Sequence, residues 1–110
     1  MNDEISPFKA LDFIRDHAEE YAMAKANVVY MTEYRKTQKS ILMNESTSKT
    51  VDQRESYAYS HPNYIAHLEA LRVAVAEAER LRWLMIGAEA KIEVWRSLES
   101  SARAEGKSTV

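Results

Sequence analysis

The sequence predicts an all-α protein: a long antiparallel helical hairpin of coiled-coil type, with a short connecting helix, that self-associates into a helical bundle. Three observations lead there. Only two glycines and two prolines occur in 110 residues, whereas a β-sandwich or barrel needs a glycine or proline at most of its turns. Apolar residues recur at helical spacing over two long stretches. The one strongly polar break, Asn44 to Thr50, lies between them. A chain of this length is expected to form a single domain.

The first helix is expected over about residues 7–44. Ser6 can cap it, and Pro7 suits the first helical position, where a missing N–H costs nothing. Phe8, Leu11, Ile14, Ala18, Tyr21, Ala24, Val28 and Met31 step along it by threes and fours, the period of one helix face. That stripe meets Arg35 and Gln38 before Leu42. A second one through Phe13, Ala22, Ala26, Val29 and Tyr30 runs beside it.

Thr50 and Gln53 have the spacing of a capping box. They predict a short helix over about 51–59, ended by Ser60, His61 and Pro62. The last helix is expected over about 62–104. Its stripe is Tyr64, Leu68, Leu71, Val75, Ala78, Leu81, Met85, Ala88, Ile92, Trp95, Leu98 and Ala102, a mean step of about 3.5 residues. Such a repeat belongs to a left-handed coiled coil, and it makes Trp95 a core residue. Gly106 is expected to stop the helix, leaving a frayed tail over 105–110. Helices of this length would measure ~60 Å at ~1.5 Å per residue. Two of them bury one face each, so Phe13, Val29, Tyr30, Trp83 and Leu84 are left to seek a partner. A second copy of the chain, as a dimer, is the simplest.

Composition narrows the function. Fifteen basic and 17 acidic residues give a net charge of −2, which makes no bulk case for nucleic acid or membrane. No cysteine is present, so thiol catalysis and cysteine-ligated metals are excluded. No apolar run is long enough to span a bilayer. Met1 to Glu4 are acidic and lack a signal-peptide core, so a cytoplasmic protein is expected. Charge is uneven, however: residues 1–33 sum to −4, 34–54 to +3 and 55–110 to −1.

Catalytic and metal constellations are weak. Asp12, Asp16, Glu19 and Glu20 share a helix face, but no Glu-x-x-His motif accompanies them as a di-iron bundle requires. They read as a solvated acidic face. His17, His61 and His67 have no nucleophile beside them in the sequence. Gly106-Lys107-Ser108-Thr109 mimics the end of a phosphate loop, yet Ser101 stands where its first glycine should be. No catalytic residue, metal or cofactor is expected, and a hairpin offers little enclosed volume for a small-molecule substrate.

Two surface groups are better candidates. Tyr34, Arg35, Lys36 and Lys39, with Tyr30 upstream, combine cations for phosphates with rings for bases. Arg80, Arg82, Trp83 and Arg96, near Lys91 and Trp95, combine the residue types enriched in interaction hot spots.

The run Leu81-Arg82-Trp83-Leu84-Met85, followed by Lys91-Ile92-Glu93-Val94-Trp95-Arg96-Ser97-Leu98-Glu99, resembles a family of small helical proteins of temperate bacteriophages and prophages. Glu20-Tyr21-Ala22, Tyr34-Arg35-Lys36, Arg54 to Ala58 and His61-Pro62 are similar too, so the likeness spans about residues 15–103. Such proteins are encoded near early recombination genes. The resemblance implies a phage protein in the host cytoplasm, acting without catalysis in DNA recombination or replication through a recombination protein or single-stranded DNA. It brings no catalytic residues. Two alternatives stand beside it: an inhibitor of a host nuclease or defence enzyme that uses the acidic face as a DNA mimic, and a structural coiled-coil spacer.

Overall fold

A computed structural model describes residues 5–108. The protein is an all-α helical hairpin of three helices, α1 (Pro7–Glu45), α2 (Val51–Ser60) and α3 (Pro62–Ser108), with no strand among the described residues.

The ends of the helices follow local chemistry. The Ser6 hydroxyl accepts the Lys9 N–H at 3.3 Å and the Ser6 carbonyl accepts the Ala10 N–H at 3.2 Å. Thr50 has extended backbone and its hydroxyl accepts the Gln53 N–H at 3.2 Å. His61 serves two helices at once. Its N–H donates to Ala58 O and closes α2, while its carbonyl accepts from Tyr64 and Ile65 and opens α3. Its Nδ1 also accepts the Asn63 N–H at 3.0 Å. α3 does not stop at Gly106. It continues to Ser108, because neither glycine adopts the positive φ that a left-handed helix cap requires. Of the tail expected over 105–110, Thr109 and Val110 lie outside the described residues, as does the acidic start Met1 to Glu4.

Tertiary contacts group the chain into two compact units. In the first, residues 22–79, buried or half-buried positions on α3 are Tyr64, His67, Leu71, Ala74 and Ala78. Their steps of three and four are a heptad seam. Opposite lie Ala24, Val28, Met31, Gln38 and Leu42 of α1. The His67 Nε2–H donates to the Met31 carbonyl at 2.6 Å and joins the two helices. Leu42, Ala58 and Tyr64 form the core where α1, α2 and α3 meet, with Met43 packed against it. The connector is tied by the Arg54 guanidinium, which donates to Ser48 O at 2.8 Å.

The second unit comprises residues 5–21 and 80–108. Leu81, Met85, Ala88 and Ile92 continue the alternation on α3, and Pro7, Ala10, Ile14, His17 and Tyr21 supply α1. Glu20 and Arg80 pair across the helices at 3.7 Å.

The seam differs from the stripes expected from the sequence. Phe8, Leu11, Leu68, Val75, Trp95 and Leu98 are exposed, Phe8 to 74%, and Ala18 is exposed as well. Pro7, Ala10, His17, His67 and Ala74 take the inner positions. At Ala10 and Ala74 the reason is size: small side chains let two helices approach closely, and Leu11 and Val75, one position along, are turned outward. At His17 and His67 it is a hydrogen bond, to the carbonyls of Phe13 and Met31.

Candidate interaction surfaces

The basic segment lies on α1 near the α2 joint. Tyr30 is 67% exposed and stacks on Tyr34, with ring centroids 5.9 Å apart and planes 14° from parallel. Tyr34 in turn meets the His67 ring at 5.5 Å. The cations beside these rings are partly committed. Lys36 pairs with Glu33 at 3.4 Å. Lys39 pairs with Glu55 of α2 at 3.3 Å and lies 4.8 Å from the Tyr59 ring centre. The contact with Tyr59 and then that with Glu55 raise the Lys39 pKa above the ordinary lysine value. Arg35, next to Tyr34 in the chain, is exposed. The charge that the sequence concentrates between 34 and 54 is thus reduced by Glu33 and Glu55, just outside that window.

The tyrosines of the joint form a second aromatic group. Tyr59 meets Tyr64 edge-on at 5.3 Å, and Tyr57 meets His61 at 5.5 Å. Tyr64 is buried, while Tyr57 and Tyr59 are exposed. The sequence places Tyr57 and Tyr59 on the short helix expected over 51–59, where no pattern marks them as part of a surface. Their number near the joint was the available signal.

The arginine–tryptophan group falls in the second unit. Trp83 is 61% exposed, with the Arg82 guanidinium carbon 5.2 Å from its ring. Arg80 is the partner of Glu20, and Arg96 pairs with Glu93 at 3.3 Å. Trp95, expected in the core, lies at the surface.

Two arginines, Arg15 of α1 and Arg80 of α3, reduce the charge of the acidic face. Arg15 reaches Asp12 at 3.4 Å and Asp16 at 3.1 Å, and these carboxylates raise the Arg15 pKa, Asp16 most strongly. Glu20 meets Arg80. The histidines play local roles. The His17 ring stacks on Phe13 at 4.0 Å and its Nδ1–H donates to the Phe13 carbonyl. Among the described residues, no three histidines or carboxylates gather where they could hold a metal ion, and no helix is long and apolar enough to cross a membrane.

No protein-family model matches the chain, and comparison with curated proteins and with solved structures finds no match in either.

Proposed function

We propose that the protein is a non-catalytic binding factor that works through the outer faces of its helices. The sequence resemblance supplies the setting: DNA recombination or replication in a bacteriophage, with a recombination protein or single-stranded DNA as the partner. One observation carries the reading. Large aromatic and apolar side chains (Val29, Tyr30, Trp83 and Leu84 among them) stand exposed outside a core whose buried residues include Ala10, Ala24, Ala58, Ala78 and Ala88. Rings of this kind serve protein hot spots and stack on bases alike. The acidic DNA-mimic reading is weakened by the pairing of Asp12, Asp16 and Glu20 with arginines.

Fluorescence anisotropy with a labelled single-stranded oligonucleotide, alongside capture of a purified single-strand-annealing recombinase, tests this proposal. Binding of DNA through Arg35, Lys36 and Lys39 would neutralise up to three phosphates. Its log–log salt slope would then be about −2, at ~0.7 per phosphate for single strands. Tyr30→Ala combined with Arg35→Glu should abolish that binding and leave the helix content unchanged. Absence of binding to both partners at low salt overturns the proposal.

A further inference from the structure

Neither the backbone nor the packing of its own chain requires a glycine at Gly87. It lies in the interior of α3, where glycine costs about 1 kcal/mol relative to alanine. Its φ is not positive, so the backbone does not require it. A methyl group built there would meet nothing within 4 Å, so close packing does not require it either. Gly106 shares these properties, but it lies in the last turn of α3, where fraying makes a glycine cheap. Gly87 instead forms part of the floor of an open groove of about 540 Å³, whose wall includes Phe13, Leu84 and Ala88, with Lys9 and Lys91 also lining it. That volume lies within the ~300–1,000 Å³ of pockets that accept drug-sized ligands, and is large enough for an indole ring.

Trp83 stands one helical turn before Gly87, on the same face of α3 and well exposed. A large knob and an empty notch thus lie four residues apart on one helix, about 6 Å along its axis at ~1.5 Å per residue. We propose that this face binds a second copy of the chain, with the two α3 helices antiparallel about a two-fold axis at the level of Met85. Trp83 of each copy then enters the groove over Gly87 of the other. A parallel pairing would set Trp83 against its own counterpart and leave both notches empty, so the self-complementarity selects the antiparallel arrangement.

Charge agrees with shape. The negative face of an indole attracts cations. In the groove Lys9 and Lys91 offer the contact that Arg82 makes with Trp83 in the single chain. Leu84, exposed beside the groove, adds to the buried area. Each indole contributes ~150–250 Å². Two of them supply ~300–500 Å² of the ~1,000 Å² that a specific interface should clear, and the remainder falls to the side chains around them.

Sedimentation equilibrium of the full chain tests the proposal. The wild-type protein should report twice the 12.6 kDa of one chain. Trp83→Ala and Gly87→Leu should each weaken the dimer by roughly 30-fold or more, the loss expected of a central hot spot. Far-UV circular dichroism should show the same helix content in all three. Gly87→Leu is the more telling variant, because it fills the notch while favouring the helix. Orientation is read by cross-linking, since the chain has no cysteine of its own. Arg80→Cys mixed with Ala90→Cys should be joined by a short bis-maleimide more efficiently than either variant with itself. A wild-type protein that stays monomeric, as it would if the groove took some other protein, overturns the proposal. So does a dimer indifferent to Gly87→Leu, or one in which each cysteine variant preferentially joins itself.

Discussion

Leu42→Ala should be among the most damaging single truncations in the molecule. Leu42 and Leu81 are the largest side chains buried almost completely, and Leu42 is 0% exposed. Around Leu42 lie Ala58 of α2, Tyr64 of α3 and Met43 of its own helix, so one side chain holds three helices together. The change removes three carbons, or about 2.4 kcal/mol of transfer free energy at ~0.8 kcal/mol per CH₂. A cavity term adds to this, and buried Leu→Ala changes span ~2.7–5.0 kcal/mol. Ala58 is too small to fill the space, whereas Met43 is flexible enough to fill part of it. The expected loss is therefore near the lower end, about 3 kcal/mol. At ~4–8 °C per kcal/mol for a domain of this size, that lowers Tm by about 12–24 °C. Leu68→Ala is the matched control. Helical periodicity in the sequence places Leu68 inside, but the structure leaves it exposed, and its truncation should cost about 1 kcal/mol or less. Thermal and urea denaturation followed by far-UV circular dichroism, at one fixed protein concentration, measures both. The packing argument fails if Leu42→Ala costs less than about 1 kcal/mol, or if Leu68→Ala costs as much as Leu42→Ala.

Thr50→Ala should destabilise the chain by about 1 kcal/mol by uncapping α2, and Thr50→Ser should restore most of it, as read by urea titration. His61→Asn should keep the cap on α3 that His61 Nδ1 provides, whereas His61→Ala should lose about 1 kcal/mol in the same assay. His67→Leu removes the hydrogen bond to Met31 O and should cost about 1 kcal/mol. Hydrogen exchange should locate the loosening around Met31. Arg72 donates to both oxygens of Glu69 and holds that carboxyl below the ordinary glutamate range. A depressed pKa contributes stability that is complete above the unfolded value and disappears as pH falls through the folded one. Glu69→Gln should therefore lower Tm slightly at neutral pH and not at all in strong acid, and thermal melts across that range check the sign.

The helices were legible because each begins on a short-range signal. Ser6-Pro7, Thr50 with Gln53 and His61-Pro62 act within three or four residues, and such chemistry can be read without knowledge of the tertiary fold. The inward face was less legible, for a physical reason. Periodicity weighted by side-chain size picks Phe8, Leu11, Leu68 and Val75, whereas two helices in close contact favour Ala10 and Ala74 at the seam. His67 shows the same limit. It occupies an inner position because it has an acceptor 36 residues away, which no local pattern reveals. The candidate residues were legible as types rather than as a surface. Lys39 turned out to be a joint between α1 and α2, and Arg54 a tie on the connector. Trp83 remained where helical arithmetic placed it, off the seam.

A seam in which alanine holds many of the buried positions has a consequence for function. Alanine adds little apolar area per residue, so the two helices gain less from each other than leucine-rich partners would. The larger side chains displaced outward carry apolar area that only another molecule can cover. A single chain that buried Phe8, Leu68, Trp83 and Leu98 would be more stable and would have less surface to offer. The arrangement favours binding over self-sufficiency, and Gly87 sharpens the point. Its cost to the helix is not offset by packing in one chain, and in the proposed dimer it would be offset by a tryptophan from the other copy. If the dimer forms as proposed, the faces of Tyr30, Tyr34 and Arg35 lie in the other compact unit. Trp83→Ala should then weaken self-association while leaving partner binding through the tyrosines to be measured separately. Binding isotherms of the single variants against the double variant Trp83→Ala with Tyr30→Ala distinguish the two surfaces. Independent faces give additive losses within about 0.5 kcal/mol, whereas a shared face does not.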